Sequence, residues 1–252
     1  MFNEGYFKAN FIDKMILFVK HIDIEGPETL GPVFESHGFE CKTIDLSLGD
    51  SLPKNFSDLE VVVPLGGPMN VYEEDKYPFL KEEDVFIKKI LKDEIPFLGI
   101  CLGSQLLSKA SGGKVAKSRA QEIGWYQIDL TEKGKKDPIF AGLGEKFEVF
   151  QWHGDTFSIP QNGSWLAKAP ICSHQVLKVG PCAYGFQFHM EITDKSIRQW
   201  SDEYFKNDPK FLRRQKEAML KGYERRKDRF HKTAEQLFSN FAQEILSKKV
   251  LK

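Results

Sequence analysis

Net charge is the first thing this chain lacks. Its 36 Lys and Arg balance 36 Asp and Glu, so the formal charge of the 252 residues is zero. That balance gives no electrostatic case for nucleic acid or an anionic membrane as partner. Long apolar runs are missing as well: none approaches the roughly 20 residues of a membrane span. The segment Met1 to Lys14 mixes acidic and basic residues and holds no apolar core of the signal-peptide kind. Cysteine is scarce, at Cys41, Cys101, Cys172 and Cys182, with no C-x-x-C pair and no zinc-ligand spacing. Cys172 and Cys182 would pair only in an oxidising compartment. Cys41, Cys172 and Cys182 read instead as small buried hydrophobes of a cytoplasmic protein. There is no G-x-x-x-x-G-K-S/T phosphate loop, no internal repeat and no low-complexity segment.

What the chain does have is apolar material: 41% of its residues are hydrophobic and 21 are Phe, enough for a substantial core. At 252 residues one large domain or a domain with appendages is expected; the chain is read as a single unit over 1–252, with a core at about 14–200 and a helical C-terminal extension at about 201–252. Short apolar runs at Met15–Val19, Glu40–Leu46, Leu59–Leu65 and Phe97–Ile100 read as strands. Between them, Gly31–Gly38, Tyr77–Lys92 and Gly103–Ser111 read as helices; Phe79, Leu80, Phe86, Ile87, Ile90 and Leu91 recur at helical spacing in the second. Strands alternating with helices predict an α/β fold, with a mostly parallel central sheet and helices on both faces. From Trp125 to Tyr184 the pattern turns to alternating strands and turns, a small antiparallel region.

Cys101 stands where one such strand meets a helix. In Gly99-Ile100-Cys101-Leu102-Gly103 the thiol is flanked by glycines, as a sharp strand-to-helix elbow requires. A helix starting at that point aims free N–H groups at the sulfur and favours its anionic form. A nucleophilic cysteine needs a base, and the base needs an orienting group. Downstream, Gly185-Phe186-Gln187-Phe188-His189-Met190-Glu191 supplies both. If the segment is a strand, Phe186, Phe188 and Met190 share one face, and His189 and Glu191 share the other. Cys101, His189 and Glu191 therefore read as a triad. His153, Asp155, His174, His189 and Glu191, with Cys101, are also metal-ligand types. They form neither a two-His helix motif nor a clustered Cys/His set, so no metal and no cofactor is expected.

Taken in order, Pro64-Leu65-Gly66-Gly67-Pro68-Met69, Gly99 to Gln105, Glu122-Ile123-Gly124-Trp125, Trp152-His153-Gly154-Asp155 and Gly185 to Glu191 resemble class I glutamine amidotransferase domains. The likeness is greatest to the amidotransferase domain of GMP synthetase and its free-standing relatives. It runs from about Lys14 to Trp200, and again near the C-terminus. It implies a flavodoxin-like amidotransferase fold and a thiolate that attacks the glutamine side-chain amide. A glutamyl thioester would follow, with release of ammonia. It also implies an oxyanion hole from the N–H groups of Gly67 and Leu102. Gly66, Gln105, Trp152, Gly154 and Asp155 would contact the small-molecule substrate, with Trp152 to Asp155 forming a loop that holds its amino and carboxyl groups.

Ser111-Gly112-Gly113-Lys114 is not followed by the Asp-Ser pair of the GMP synthetase pyrophosphatase loop. The expected function is therefore glutamine hydrolysis that passes ammonia to a separate synthetase subunit. The alternatives are a stand-alone hydrolase of γ-glutamyl compounds, or a non-catalytic regulatory module, which an intact triad opposes. The charged stretch Ser201–Arg229, with Arg213, Arg214, Arg225, Arg226 and Arg229, is the candidate docking element or else a solvated helix face. Thr233–Leu246 reads as an amphipathic closing helix.

Overall fold

The computed structural model describes residues 15–250. The N-terminal segment, expected to lack a signal-peptide core, lies outside them. One nine-stranded sheet organises the chain. Its order is β2 (Glu40–Asp45), β1 (Met15–Lys20), β3 (Leu59–Pro64), β4 (Phe97–Ile100), β9 (Ala183–Phe186), β8 (Val176–Val179), β7 (Gly163–Lys168), β5 (Val115–Leu130) and β6 (Lys146–Phe157). From β2 to β9 every pairing is parallel; from β9 to β6 every pairing is antiparallel. The antiparallel part is continuous with the parallel part and larger than the strand-and-turn pattern suggests, because β5 and β6 extend well beyond their alternating stretches.

The inner parallel strands are apolar on both sides because helices cover both faces. In β1, Ile16, Leu17, Phe18 and Val19 are all buried. One face packs against α1 (Leu30–Ser36) and α5 (Pro209–Val250), through Phe34, Leu237, Phe238 and Phe241. The other packs against α2 (Phe79–Lys92) and α3 (Leu102–Ala110), through Leu80, Ile87, Ile90, Leu106 and Leu107. Burying each such side chain stabilises the fold by about 1.5–3 kcal/mol. The α2 stripe at helical spacing also contains Glu83, fully buried among apolar neighbours.

α4 (Asp194–Tyr204) begins at a capping box in which Thr193 and Ser196 satisfy each other's backbone N–H groups. After it the chain forms a single 42-residue helix. The expected division into a charged stretch and a closing helix is absent, and α5 runs through both. Part of the charged stretch is packed: Met219 and Tyr223 are buried, and Trp125 Nε1 donates to the Met219 carbonyl at 3.0 Å. Arg226 pairs with Glu148 at 2.9 Å and lies over the Trp125 ring. Lys216–Asp202 and Lys227–Glu224 pairs balance neighbouring charge, as the solvated-face reading predicts. No helix of the described residues is long and apolar enough to cross a membrane.

Candidate active site

The carboxyl ends of β1, β3, β4 and β9 lie side by side and deliver His21, Gly66-Gly67, Cys101 and His189 to one edge of the sheet. Ligands of parallel sheets bind beyond this edge. A cavity of about 640 Å³ opens there, lined among others by Gly67, Cys101, Leu102, Gln105, Asp155 and His189.

Cys101 is the N-cap of α3, with φ +51° and ψ −103°. A non-glycine residue with positive φ is strained, and such strain gathers at nucleophile elbows. The elbow closes tightly because a Cβ at Gly103 would overlap the Pro64 carbonyl. Cys101 N–H donates to the Phe186 carbonyl at 2.7 Å, which ties the elbow to β9. The Cys101 Sγ lies 3.8 Å from both the Trp152 carbonyl and Gln187 Nε2.

His189 is buried and lies close enough to Cys101 to feel its side chain. Its Nδ1 is 2.6 Å from Glu191 Oε1, which leaves Nε2 for the sulfur. Glu191 Oε2 is held in turn by the Met190 N–H at 2.9 Å. Burial pulls the His189 pKa down, but Glu191 and Cys101 outweigh it and raise it well above the ordinary value. Cys101, His189 and Glu191 are therefore brought together, though by a different local geometry from a strand. β9 ends at Phe186, and the chain then bends, so that His189 returns as an isolated antiparallel bridge to Phe150. Phe188 and Met190 are buried, but so are Gln187, His189 and Glu191. Alternation here separates two buried environments, not core from solvent.

Trp152 to Asp155 is not the loop that the resemblance implies. It lies within β6 and straddles a register break in the pairing with β5: Asp155 is opposite Lys117, while His153 and Trp152 are opposite Glu122 and Ile123. His153 is held there by Glu122 at 3.0 Å and by the Asp155 carbonyl at 2.8 Å. Asp155 is 7% exposed, and its Oδ2 has no hydrogen-bond partner. Beside it lies Tyr72, whose hydroxyl is pushed up to about 12 by burial and by the Asp155 carboxylate. Gln105 faces the same cavity and donates to Gln187 Oε1 at 3.3 Å. Gly66 packs against the His189 ring, where a Cβ would lie 3.1 Å from Cε1 and would overlap Glu25.

Sequence reasoning missed Glu25, Tyr204, His21 and Glu83. Glu25 lines the cavity, its carboxyl raised mainly by burial, and hydrogen-bonds the Tyr204 hydroxyl. His21 and Glu83 form a fully buried pair, with Nε2 to Oε2 at 2.9 Å. A carboxylate inside the apolar stripe of α2, and a histidine just past a buried strand, were the available signals. Among the described residues, Glu122, His153 and Cys172 form a set of metal-ligand types whose ligand atoms lie within 4.8 Å of one another. Each is already engaged: Glu122 with His153 and Gln175, and Cys172 with Thr156. Of the six ligand types weighed in the sequence, only His153 belongs to this set.

The comparisons agree with this geometry. The glutamine amidotransferase class-I family matches residues 33–207. The glutamine amidotransferase-like protein YfeJ of Salmonella typhimurium is 33% identical over 183 residues, 71% of this chain and 77% of its own length. A glutamine-hydrolysing GMP synthase of Borrelia garinii is 37% identical over 147 residues, 58% of this chain but only 26% of the synthase, so the likeness is to a quarter of that enzyme. A glutamine amidotransferase of Thermotoga maritima superposes with a TM-score of 0.82 at 33% identity, over 91% of this chain and 98% of that one. Shared motifs, their order and the common fold place this chain in the class I glutamine amidotransferase family, whose members are cysteine-nucleophile amidohydrolases.

Proposed function

We propose that this chain hydrolyses the side-chain amide of glutamine through Cys101 and passes the ammonia to a separate synthetase. The observation that carries this is the unpartnered Oδ2 of Asp155, in the same cavity as Cys101, His189 and the Glu191 that orients it. A buried carboxylate oxygen without a hydrogen bond is costly, and a substrate ammonium would relieve it. With the α-amino group there, the side-chain amide extends toward Cys101. His189 takes the thiol proton and the thiolate attacks the amide carbon. The N–H groups of Gly67 and Leu102 receive the oxyanion. His189 then protonates the leaving nitrogen, ammonia departs, and water hydrolyses the glutamyl thioester. No external cofactor enters these steps. Four free thiols suit a reducing, cytoplasmic setting.

One observation favours a second reading. A cavity of about 640 Å³ lies in the range of sites for drug-sized ligands, roughly 300–1,000 Å³, and Lys117 and Arg119 stand at its mouth. That leaves room for a leaving group larger than ammonia, as in γ-glutamyl conjugates. Purified protein should be assayed with glutamine and a panel of γ-glutamyl compounds, with and without candidate synthetases. Glutamine turnover that a synthetase raises supports the first reading; preference for a conjugate with no partner effect supports the second. Cys101→Ser should abolish both activities. If it leaves them intact, Cys101 is not the nucleophile and the assignment fails; a wild type that hydrolyses none of these compounds favours the non-catalytic role.

A further inference from the structure

Buried ion pairs are poor stabilisers: an apolar pair of similar volume usually does as well or better. The His21–Glu83 pair is completely buried, joins the end of β1 to α2, and takes no part in the chemistry just described. Its second contact explains why it is there. His21 Nδ1 lies 3.1 Å from the Gly66 carbonyl oxygen, while Nε2 faces Glu83. A carbonyl can only accept, so Nδ1 carries the proton and donates it. The Gly66–Gly67 peptide is trans. In a trans peptide the carbonyl of one residue and the N–H of the next point in opposite directions. Holding the Gly66 oxygen toward His21 therefore turns the Gly67 N–H away from His21. Gly67 lines the cavity beside Cys101 and Leu102, and its N–H has no acceptor among the described residues. The stem of His21 packs directly under it, where a Cβ on Gly67 would lie 2.9 Å from His21 Cβ.

We propose that His21 and Glu83 are positioning residues for the oxyanion site: the His21 ring holds the Gly66 carbonyl, aims the Gly67 N–H into the cavity, and is itself held by Glu83. This rests on Gly67 as an oxyanion donor in the hydrolysis proposed above. The pair raises no substrate affinity. It keeps one donor in place before the tetrahedral intermediate forms, so its removal lowers kcat and spares KM.

The test compares two double variants, assayed with whichever substrate the wild type hydrolyses. His21→Leu/Glu83→Leu replaces the pair by apolar side chains. Its kcat should fall about ten- to hundredfold, short of the loss from deleting an oxyanion donor outright, with KM unchanged. Cys101 should still react with iodoacetamide at the wild-type rate, because alkylation forms no oxyanion. His21→Asn/Glu83→Leu restores an N–H donor near the Nδ1 position and should recover most of kcat. A wild-type kcat in the Leu/Leu variant, or an Asn variant as slow as Leu/Leu, overturns the proposal. If Leu/Leu does not fold, nitrogen NMR of the wild-type ring decides. A hydrogen-bonded proton on His21 Nδ1 at the assay pH supports the proposal, and an unprotonated Nδ1 overturns it. A wild type with no amide hydrolysis and no selectively reactive Cys101 would count against the hydrolytic reading itself, an outcome separate from these.

Discussion

His189 is held by opposing forces. Burial in an apolar setting resists its positive charge, while Glu191 at 2.6 Å and Cys101 beside it favour that charge. The partners win, so the ring is suited to hold the proton that Cys101 gives up in the proposed hydrolysis. Glu25 completes the surroundings in a different way. Burial holds its carboxyl toward the neutral form, and Tyr204 hydrogen-bonds it. The order of effects on turnover follows from these roles. His189→Ala removes the base and should lower kcat on the order of 10²–10⁴-fold. Glu191→Gln leaves the base in place and removes its orienting charge, so the loss should be smaller. Steady-state rates of the two variants check this, and a greater loss in Glu191→Gln would exchange the roles. The residue scale was legible in part. Cys101, His189 and Glu191 stood out because glycines and a His-x-Glu spacing mark them locally. Glu25 and His21 did not, because what sets them apart is contact with Tyr204 and Glu83, 179 and 62 residues away in sequence.

At the scale of elements, the elbow depends on how closely β4 and α3 approach β3. A Cβ at Gly103 would overlap backbone atoms of Pro64, and backbone cannot swing aside as a flexible side chain can. Gly103→Ala should therefore destabilise the fold by about 1–3 kcal/mol, in the manner of an overpacked core. Urea unfolding measures it; a loss below about 0.5 kcal/mol, the range of neutral surface changes, would show that the strand and helix can separate without cost. The helix and strand periods placed β1, β3, β4, α2 and α3 to within a few residues. They failed at β9, where the strand stops three residues short of His189, and at β6, where Trp152 to Asp155 is strand instead of loop. In both places long-range pairing decides the backbone: the Phe150–His189 bridge in one, the β5–β6 ladder in the other.

For the whole molecule, most of the buried groups with shifted pKa values act in one direction. His21 and His189 have pKa values raised above 6.5, burial opposing and the neighbouring carboxylates prevailing. Their contribution to stability is fully present below 6.5 and is lost as pH rises through the folded values. Glu25 is raised above 4.5 by burial, so the folded state also keeps that proton longer, and its contribution fades as pH rises from there. Burial raises the thiols of Cys41, to about 11, and Cys172, with the same sign at higher pH. Asp45, lowered from 3.8 by Ser47 and Lys20 against the effect of burial, acts oppositely, but only in acid. The urea midpoint should accordingly be lower at pH 9 than at pH 6. Equal midpoints, or a higher one at pH 9, would mean that these groups do not hold their protons more tightly in the fold.

The sequence by itself determined the resemblance to the family, the alternation of strands and helices, and the three residues proposed as a triad. The last two are written in local spacing, in apolar runs, helical periods and glycines around one cysteine; the family is carried by the resemblance of several motifs in order along the chain. Only the tertiary structure decided that nine strands form one continuous sheet, that the tail is a single helix packed on Trp125, and that His21 and Glu83 meet beneath Gly66. The reason is physical. A hydrogen bond between residues far apart in sequence leaves no period in the chain, and a buried charge is tolerable only where its partner folds against it.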